Sequence, residues 1–291
     1  MFEGFNRSRI ATDGVSINVV HGGSGPPLLL LHGCPQTHAM WSLVAPLLAD
    51  RFTVVCPDLR GYGDSSKPRG LPDASNYTFR AMAADQVAVM KQLGFDRFDV
   101  AGHDRGGRVA HRMALDWPAE VRRLAMLDIV PTLHMYETTD RSFATKFWLW
   151  FFLPLPEPIP ERMIGADPDF FFESLLGRYG GTSLDGFDPA ALAEYRRCWR
   201  DPDDIHAMCS DYRAGMSIDL EHDRSDLGRR VECPTLVLWA ADGLMGKQFD
   251  FAAIWRERCS DVRFGTVPGG HFFPDEHPHE TAAALAGFMK A

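Results

Sequence analysis

The chain has 291 residues, 45% of them hydrophobic and 24% charged, with a formal net charge of −9. That length accommodates one large α/β domain or a core with an insertion, and the negative balance excludes phosphate-backbone binding as the main business. No stretch reaches the roughly 20 apolar residues of a membrane helix, and the opening residues 1–7 lack an apolar signal core.

Read in chain order, short apolar runs alternate with helical patterns. The first run, residues 28–31, ends in His32-Gly33-Cys34-Pro35, and the second, 53–56, in Pro57-Asp58. A third, 98–101, leads into Gly102-His103-Asp104, and a fourth, 124–127, into Asp128. Near-continuous apolar runs of this kind are parallel strands buried on both faces, joined by right-handed crossovers into a doubly covered sheet. From residue 131 to 219 strand-like runs stop, aromatics crowd residues 147–152, and prolines cluster at 154, 156, 158 and 160. This segment is expected to be a helical cap inserted into a core of residues 1–130 and 220–291. The sheet resumes near Cys233-Pro234 with runs at 236–239 and 262–267, the last followed by Pro268-Gly269-Gly270-His271. The polar residues thus collect beyond the carboxyl ends of strands, where open α/β sheets bind ligands. The six scattered cysteines (Cys34, Cys56, Cys198, Cys209, Cys233, Cys259) form no CxxC pair, so a reduced, cytoplasmic protein is expected.

Gly102-His103-Asp104-Arg105-Gly106 has the G-x-nucleophile-x-G pattern of the α/β-hydrolase elbow, with Asp in the usual place of Ser. His32-Gly33-Cys34-Pro35 fits the loop that offers a backbone N–H to the oxyanion hole, here that of Cys34, with the Arg105 N–H as second donor. His271 falls where the triad histidine belongs. Asp128 and Asp242 are both placed to be the triad acid, and periodicity does not choose between them. A carboxylate nucleophile attacking an ester or amide would give a labile anhydride, whereas attack on an sp³ carbon gives an ester that water opens. Carbon–halogen bonds and epoxides are therefore the expected targets, with His271 as base for water in the second step. Arg105 and Arg108, at i and i+3, share a helix face and suit a substrate carrying its own carboxylate. Arg112, one turn on, is assigned a surface or structural role.

These residues closely resemble the fluoroacetate (haloacetate) dehalogenases of the α/β-hydrolase family. The resemblance runs nearly end to end and includes Asp58-Leu59-Arg60-Gly61-Tyr62-Gly63, Gly102 to Arg108, Leu127-Asp128-Ile129, Ile164-Gly165-Ala166-Asp167-Pro168, Asp211-Tyr212-Arg213-Ala214-Gly215 and Pro268 to Phe273. It implies Asp104 as nucleophile, Asp128 as acid, His271 as base, and Arg105 and Arg108 as the grip on the substrate carboxylate. It also implies a homodimer acting on a small haloacid with no metal or organic cofactor. The family's halide site is a His-Trp pair plus a Tyr. Here Trp150 and Tyr212 match, but Leu149 stands in the histidine's place. The loss of a donor falls hardest on fluoride, so the reading favours chloroacetate over fluoroacetate. The nearest competing readings are an epoxide hydrolase drawing acids from Tyr136, Tyr179, Tyr195 and Tyr212, and a non-catalytic protein of the same fold. A haloalkane dehalogenase fits less well, since that family resembles G-H-D-W-G and this chain has Arg105 in place of Trp.

Overall fold

In the computed structural model, which describes residues 1–180 and 183–289, the strands are β1 (Asn6–Ala11), β2 (Ser16–Gly23), β3 (Pro27–Leu31), β4 (Thr53–Pro57), β5 (Phe98–His103), β6 (Val121–Leu127), β7 (Thr235–Ala240) and β8 (Val262–Val267). They form one sheet in the order β1-β2-β4-β3-β5-β6-β7-β8. From β4 across to β8 neighbouring strands are parallel, and β1 and β2 add an antiparallel edge. All six runs read from the sequence are strands. Of the two it passed over, β2 is mostly buried, whereas β1 is an edge strand with one buried side chain, Ile10, and mostly exposed polar ones. A strand open to water on one face carries no continuous apolar signal.

Helices α1 (Ala45–Leu48), α2 (Phe79–Gln92) and α3 (Arg105–Asp116) precede β6 in the chain. The central strands are covered accordingly: every residue of β5 is buried, and Leu28 to Leu31 are wholly inaccessible.

Between β6 and β7 lie α4 (Thr132–Glu137), α5 (Arg141–Lys146), α6 (Leu149–Phe152), α7 (Ile159–Ala166), α8 (Pro168–Tyr179), α9 (Pro189–Trp199), α10 (Pro202–Gly215) and α11 (Ile218–Ser225). The helical stretch therefore runs past residue 219, which falls inside α11. Three of these helices start on Asp-Pro. Asp167, Asp188 and Asp201 each accept a first-turn N–H, with proline at the position whose N–H has no partner anyway. After β7 come α12 (Leu244–Gln248) and α13 (Phe251–Arg258), and after β8 α14 (Phe273–Glu276) and α15 (Pro278–Phe288).

Candidate active site

Asp104 follows β5 and caps the start of α3 with φ 48° and ψ −117°, a left-handed conformation that a non-glycine residue holds only when its surroundings enforce it. The enforcement is close packing. A Cβ on Gly106 would stand 2.4 Å from the His32 carbonyl oxygen, and one on Gly33 would stand 2.5 Å from the Asp104 Cβ. The tight turn aims the carboxylate at the mouth of the sheet. There the Cys34 N–H donates to Asp104 Oδ1 at 3.0 Å. The Arg105 N–H, at the first position of α3, is one of the donors a helix start leaves unpaired.

His271 follows β8. Its Nε2 lies 3.7 Å from Asp104 Oδ2, and its Nδ1 pairs with Asp128 Oδ2 at 2.6 Å. The other oxygen of Asp128 accepts the Ala240 N–H at 3.0 Å, so both lone-pair directions are fixed. Asp242 is exposed and takes part only through its backbone, with Gly269 and Lys247. His103 donates from Nε2 to the His271 carbonyl at 2.7 Å, and the His271 N–H reaches the Tyr179 carbonyl at 2.7 Å. The His271 backbone is thus held between the elbow and the helical insertion.

Asp104, Asp128 and His271 share one cavity of about 50 Å³ with Cys34, Arg108, Leu149, Trp150 and Tyr212. A buried water occupies roughly 10–15 Å³ on this measure, so the cavity holds a few water-sized groups, the bulk of a two-carbon acid. A family model for the alpha/beta hydrolase fold matches residues 26–278. The chain belongs to the alpha/beta hydrolase family. This hydrolase is similar to a fluoroacetate dehalogenase of Burkholderia sp., 56% identical over 289 residues that span 99% of this chain and 95% of that protein. It is 34% identical to a soluble epoxide hydrolase of Corynebacterium sp. (strain C12) over 91% of each chain. The crystal structure of ALR0039, assigned as an alpha/beta hydrolase of Nostoc sp PCC 7120, matches at a TM-score of 0.98 and 52% identity over 99% of each chain.

The hydrolase's charges are arranged in pairs of unequal completeness. Burial opposes ionisation of Asp104, but the nearby His271 imidazolium, with further help from the charge of Arg105, holds its carboxyl well below the usual range. Burial likewise opposes the His271 imidazolium, yet the carboxylate of Asp104 beside it and the hydrogen bond and charge of Asp128 outweigh it and push the ring up to about 10. The resting site is therefore an ion pair. His103 is pushed down to about 3 by burial and then by His271, so it stays neutral as a donor.

Arg105 and Arg108 are both buried on α3, but their partners differ. Arg105 donates from Nε to Asp211 Oδ2 at 2.9 Å and from Nη2 to the Asp211 carbonyl at 2.9 Å and to its Oδ1. Arg108 donates from Nη1 to the Val130 carbonyl at 2.8 Å and to Thr132 Oγ1 at 2.9 Å, and from Nη2 to the Met135 sulfur. Arg108 lines the cavity, whereas Arg105 stands behind it. Arg112 is structural: it is buried and paired with Asp116, Asp223 and Asp226.

The Trp150 and Tyr212 rings meet edge-on with centroids 5.9 Å apart. At Leu149 the wall is apolar, shared with Phe147, Leu175, Met245 and Phe272. The Asp211 partnership was not read from the sequence. It links residues 106 positions apart, and no local spacing announces such a pair. Away from the cavity, Glu157, Glu161 and His206 bring possible metal-ligand atoms within 4.8 Å of one another. There His206 Nε2 accepts the Gly70 N–H at 3.1 Å, which leaves the proton of the neutral ring on Nδ1, and Arg69 and Arg213 already pair with the two carboxylates.

Proposed function

We propose that this hydrolase is a haloacetate dehalogenase, converting a haloacetate to glycolate and halide through a covalent ester of Asp104. The observation that carries the proposal is Arg108, a buried guanidinium with no carboxylate partner, lining the same small cavity as a carboxylate nucleophile. A buried cation needs a counter-charge, and a substrate carboxylate is the group that would supply one. The high identity to a fluoroacetate dehalogenase supports the same reading.

In the proposed sequence Asp104 Oδ2 attacks the halogen-bearing carbon, the carbon–halogen bond breaks, and the halide leaves toward the Trp150 N–H and Tyr212 O–H. The carboxylate grip falls to Arg108 and Arg105. Esterification cancels the Asp104 charge that keeps His271 protonated. The imidazole gives its proton to solvent and becomes a base for water attacking the Asp104 carbonyl carbon. Negative charge then develops on Oδ1, where the Cys34 N–H already points and the Arg105 N–H completes the hole. On collapse His271 hands the proton it took from water to the departing Oδ2, which leaves as the hydroxyl oxygen of glycolate, and the second proton of that water passes from the new Asp104 carboxyl to His271, restoring the ion pair.

An epoxide hydrolase with two tyrosine acids fits less well. Tyr136, Tyr179 and Tyr195 spend their hydroxyls on the Trp150 carbonyl, the Lys146 carbonyl and Asp275, which leaves Tyr212. The proposal extends to a cytoplasmic homodimer. All six cysteines are free, no helix of the described residues is long and apolar enough to cross a membrane, and Ile159, Met163 and Phe170 on α7 and α8 are 48%, 63% and 72% exposed. The test is halide release from chloro-, bromo- and fluoroacetate beside chloroacetamide and a small epoxide. Turnover of the charged acids with little from the amide is expected. Equal rates on chloroacetamide, or turnover of the epoxide alone, would refute the assignment.

A further inference from the structure

Two arginines beside one small anion would be more charge than a single carboxylate needs, and the structure shows how the excess is handled. Asp211 is wholly buried, as is Arg105. It takes Nε and Nη2 of Arg105 in a fork, and its Oδ2 also accepts the Tyr62 hydroxyl at 2.7 Å. Only Arg105 Nη1 is left without a partner. The guanidinium carbon of Arg105 lies 4.3 Å from the Tyr212 ring centroid and 4.6 Å from that of Phe79, so the fork is fixed in rotation as well as in position. Tyr212 is the next residue after Asp211 on α10. The Arg108 side has no such acid. Its Nε is unpartnered and one Nη2 proton goes to a thioether, a weak acceptor.

We infer that Asp211 is a positioning residue that cancels the charge of Arg105, so that Arg108 alone presents an uncompensated cation to the substrate, while Arg105, its charge matched, joins the grip only through its free Nη1 and seats Tyr212. The inference rests on the haloacid reading above. Arg108 is pushed down to about 10, by burial first and by the charge of Arg105 second, as expected of a cation still awaiting its counter-ion. Asp211 also ties α10 of the insertion to α3 behind the nucleophile, so the halide-facing phenol and the carboxylate grip move as one unit.

The test compares wild type with Asp211→Asn, Arg105→Gln, the double variant and Asp211→Glu, all as the full chain. Acetate, which has the carboxylate but no leaving group, is titrated by calorimetry, and kcat and KM are measured for chloroacetate. One unit charge this close shifts anion affinity by on the order of tenfold, and removing one partner of a buried pair leaves the other charge bare. Asp211→Asn is expected to bind acetate about threefold tighter or more while kcat falls, a sign that mere structural damage would not give. Arg105→Gln should bind acetate about tenfold more weakly, and the double variant should regain most of that loss. Asp211→Glu, measured whether or not the asparagine variant folds, should hold acetate within about twofold of wild type with a reduced kcat. The inference is overturned if the double variant binds no better than Arg105→Gln, or if the glutamate variant loses affinity about tenfold. Acetate binding needs no turnover, so wild type that binds acetate yet releases no halide would count against the proposed function instead.

Discussion

His271 sits between two carboxylates, and that placement sets when it can act. As long as Asp104 is ionised the ring holds its proton up to about pH 10, so in the proposed mechanism it serves as a base only after Asp104 has been esterified. His271→Ala should therefore permit the first step and block the second. After chloroacetate treatment, mass spectrometry of the variant is expected to find a carboxymethyl group on Asp104. The 2.6 Å contact with Asp128 predicts that Asp128→Asn costs about 10⁴ in turnover, the scale of an acid that orients a catalytic imidazole. Asp242→Asn should leave most of the activity. Leu149 belongs to the same scale. Its aliphatic side chain cannot donate a hydrogen bond to a departing halide, and fluoride gains more from each donor than chloride does. Wild type is expected to prefer chloroacetate, and Leu149→His should raise kcat for fluoroacetate more than for chloroacetate. An unchanged ratio of the two rates would discard the idea. A missing preorganised donor costs about 3 kcal/mol, so the differential should reach tens of fold.

At the scale of elements the elbow depends on contacts that leave no room for a methyl group. Gly106→Ala would drive a Cβ to 2.4 Å from the His32 carbonyl and 2.6 Å from Leu31, and should lower stability by about 1–3 kcal/mol or more. Gly177, in α8, has nothing within 4 Å of its virtual Cβ. There alanine should stabilise by about 0.5–1 kcal/mol. Urea denaturation of the two variants distinguishes the sites. These elements also show what the sequence discloses. Buried parallel strands announce themselves because both faces demand apolar residues, and their polar terminal residues marked Asp104, Asp128 and His271 at once. The edge strand β1 was silent because one buried Ile10 makes no pattern. Asp58-Leu59-Arg60-Gly61-Tyr62-Gly63 was legible as a motif, but its work is structural. Asp58 accepts from Asn18, His38 and Asp64, and Arg60 pairs with Asp85. The division between Arg105 and Arg108 was hidden, because i, i+3 spacing gives a shared face and says nothing of distant partners.

Across the whole molecule several buried acids are held in the proton-bound direction. Burial pushes Asp275 up to about 8, against the bonds from Tyr195 and Gln36, and burial likewise raises Asp204 to about 8 and Asp219 to about 6. Each binds its proton more tightly folded than unfolded, so stability falls as pH rises from about 4 towards 8. His271 adds to this: its contribution is complete below 6.5 and fades as pH approaches about 10. Asp104, displaced downward, works the other way, adding stability above its unfolded value near 3.8 and losing it in stronger acid. His103 and His111, pushed down to about 3 by burial, work against these acids below about 6.5, so the melting temperature should decline clearly from about pH 6.5 toward 10. Asp275→Asn should flatten the part of that decline between 6.5 and 8, and thermal melts at a series of pH values would read it directly. A curve that rises from pH 6 to 9 would contradict the sign.

One contact at the elbow has a consequence in isotope bookkeeping. With Oδ1 tethered to the Cys34 N–H, the proposed chemistry exports Oδ2 in the product and replaces it from water, turnover after turnover, while Oδ1 stays behind. In ¹⁸O-enriched water the first glycolate should carry the old, light oxygen, and later ones the heavy oxygen acquired in the preceding cycle. After many cycles Asp104 should hold a single heavy atom if the tether persists between turnovers, and two if the carboxylate rotates while the site stands empty. The aspartate then keeps a one-cycle memory of the solvent, and its isotope count measures how firmly one backbone amide holds one oxygen.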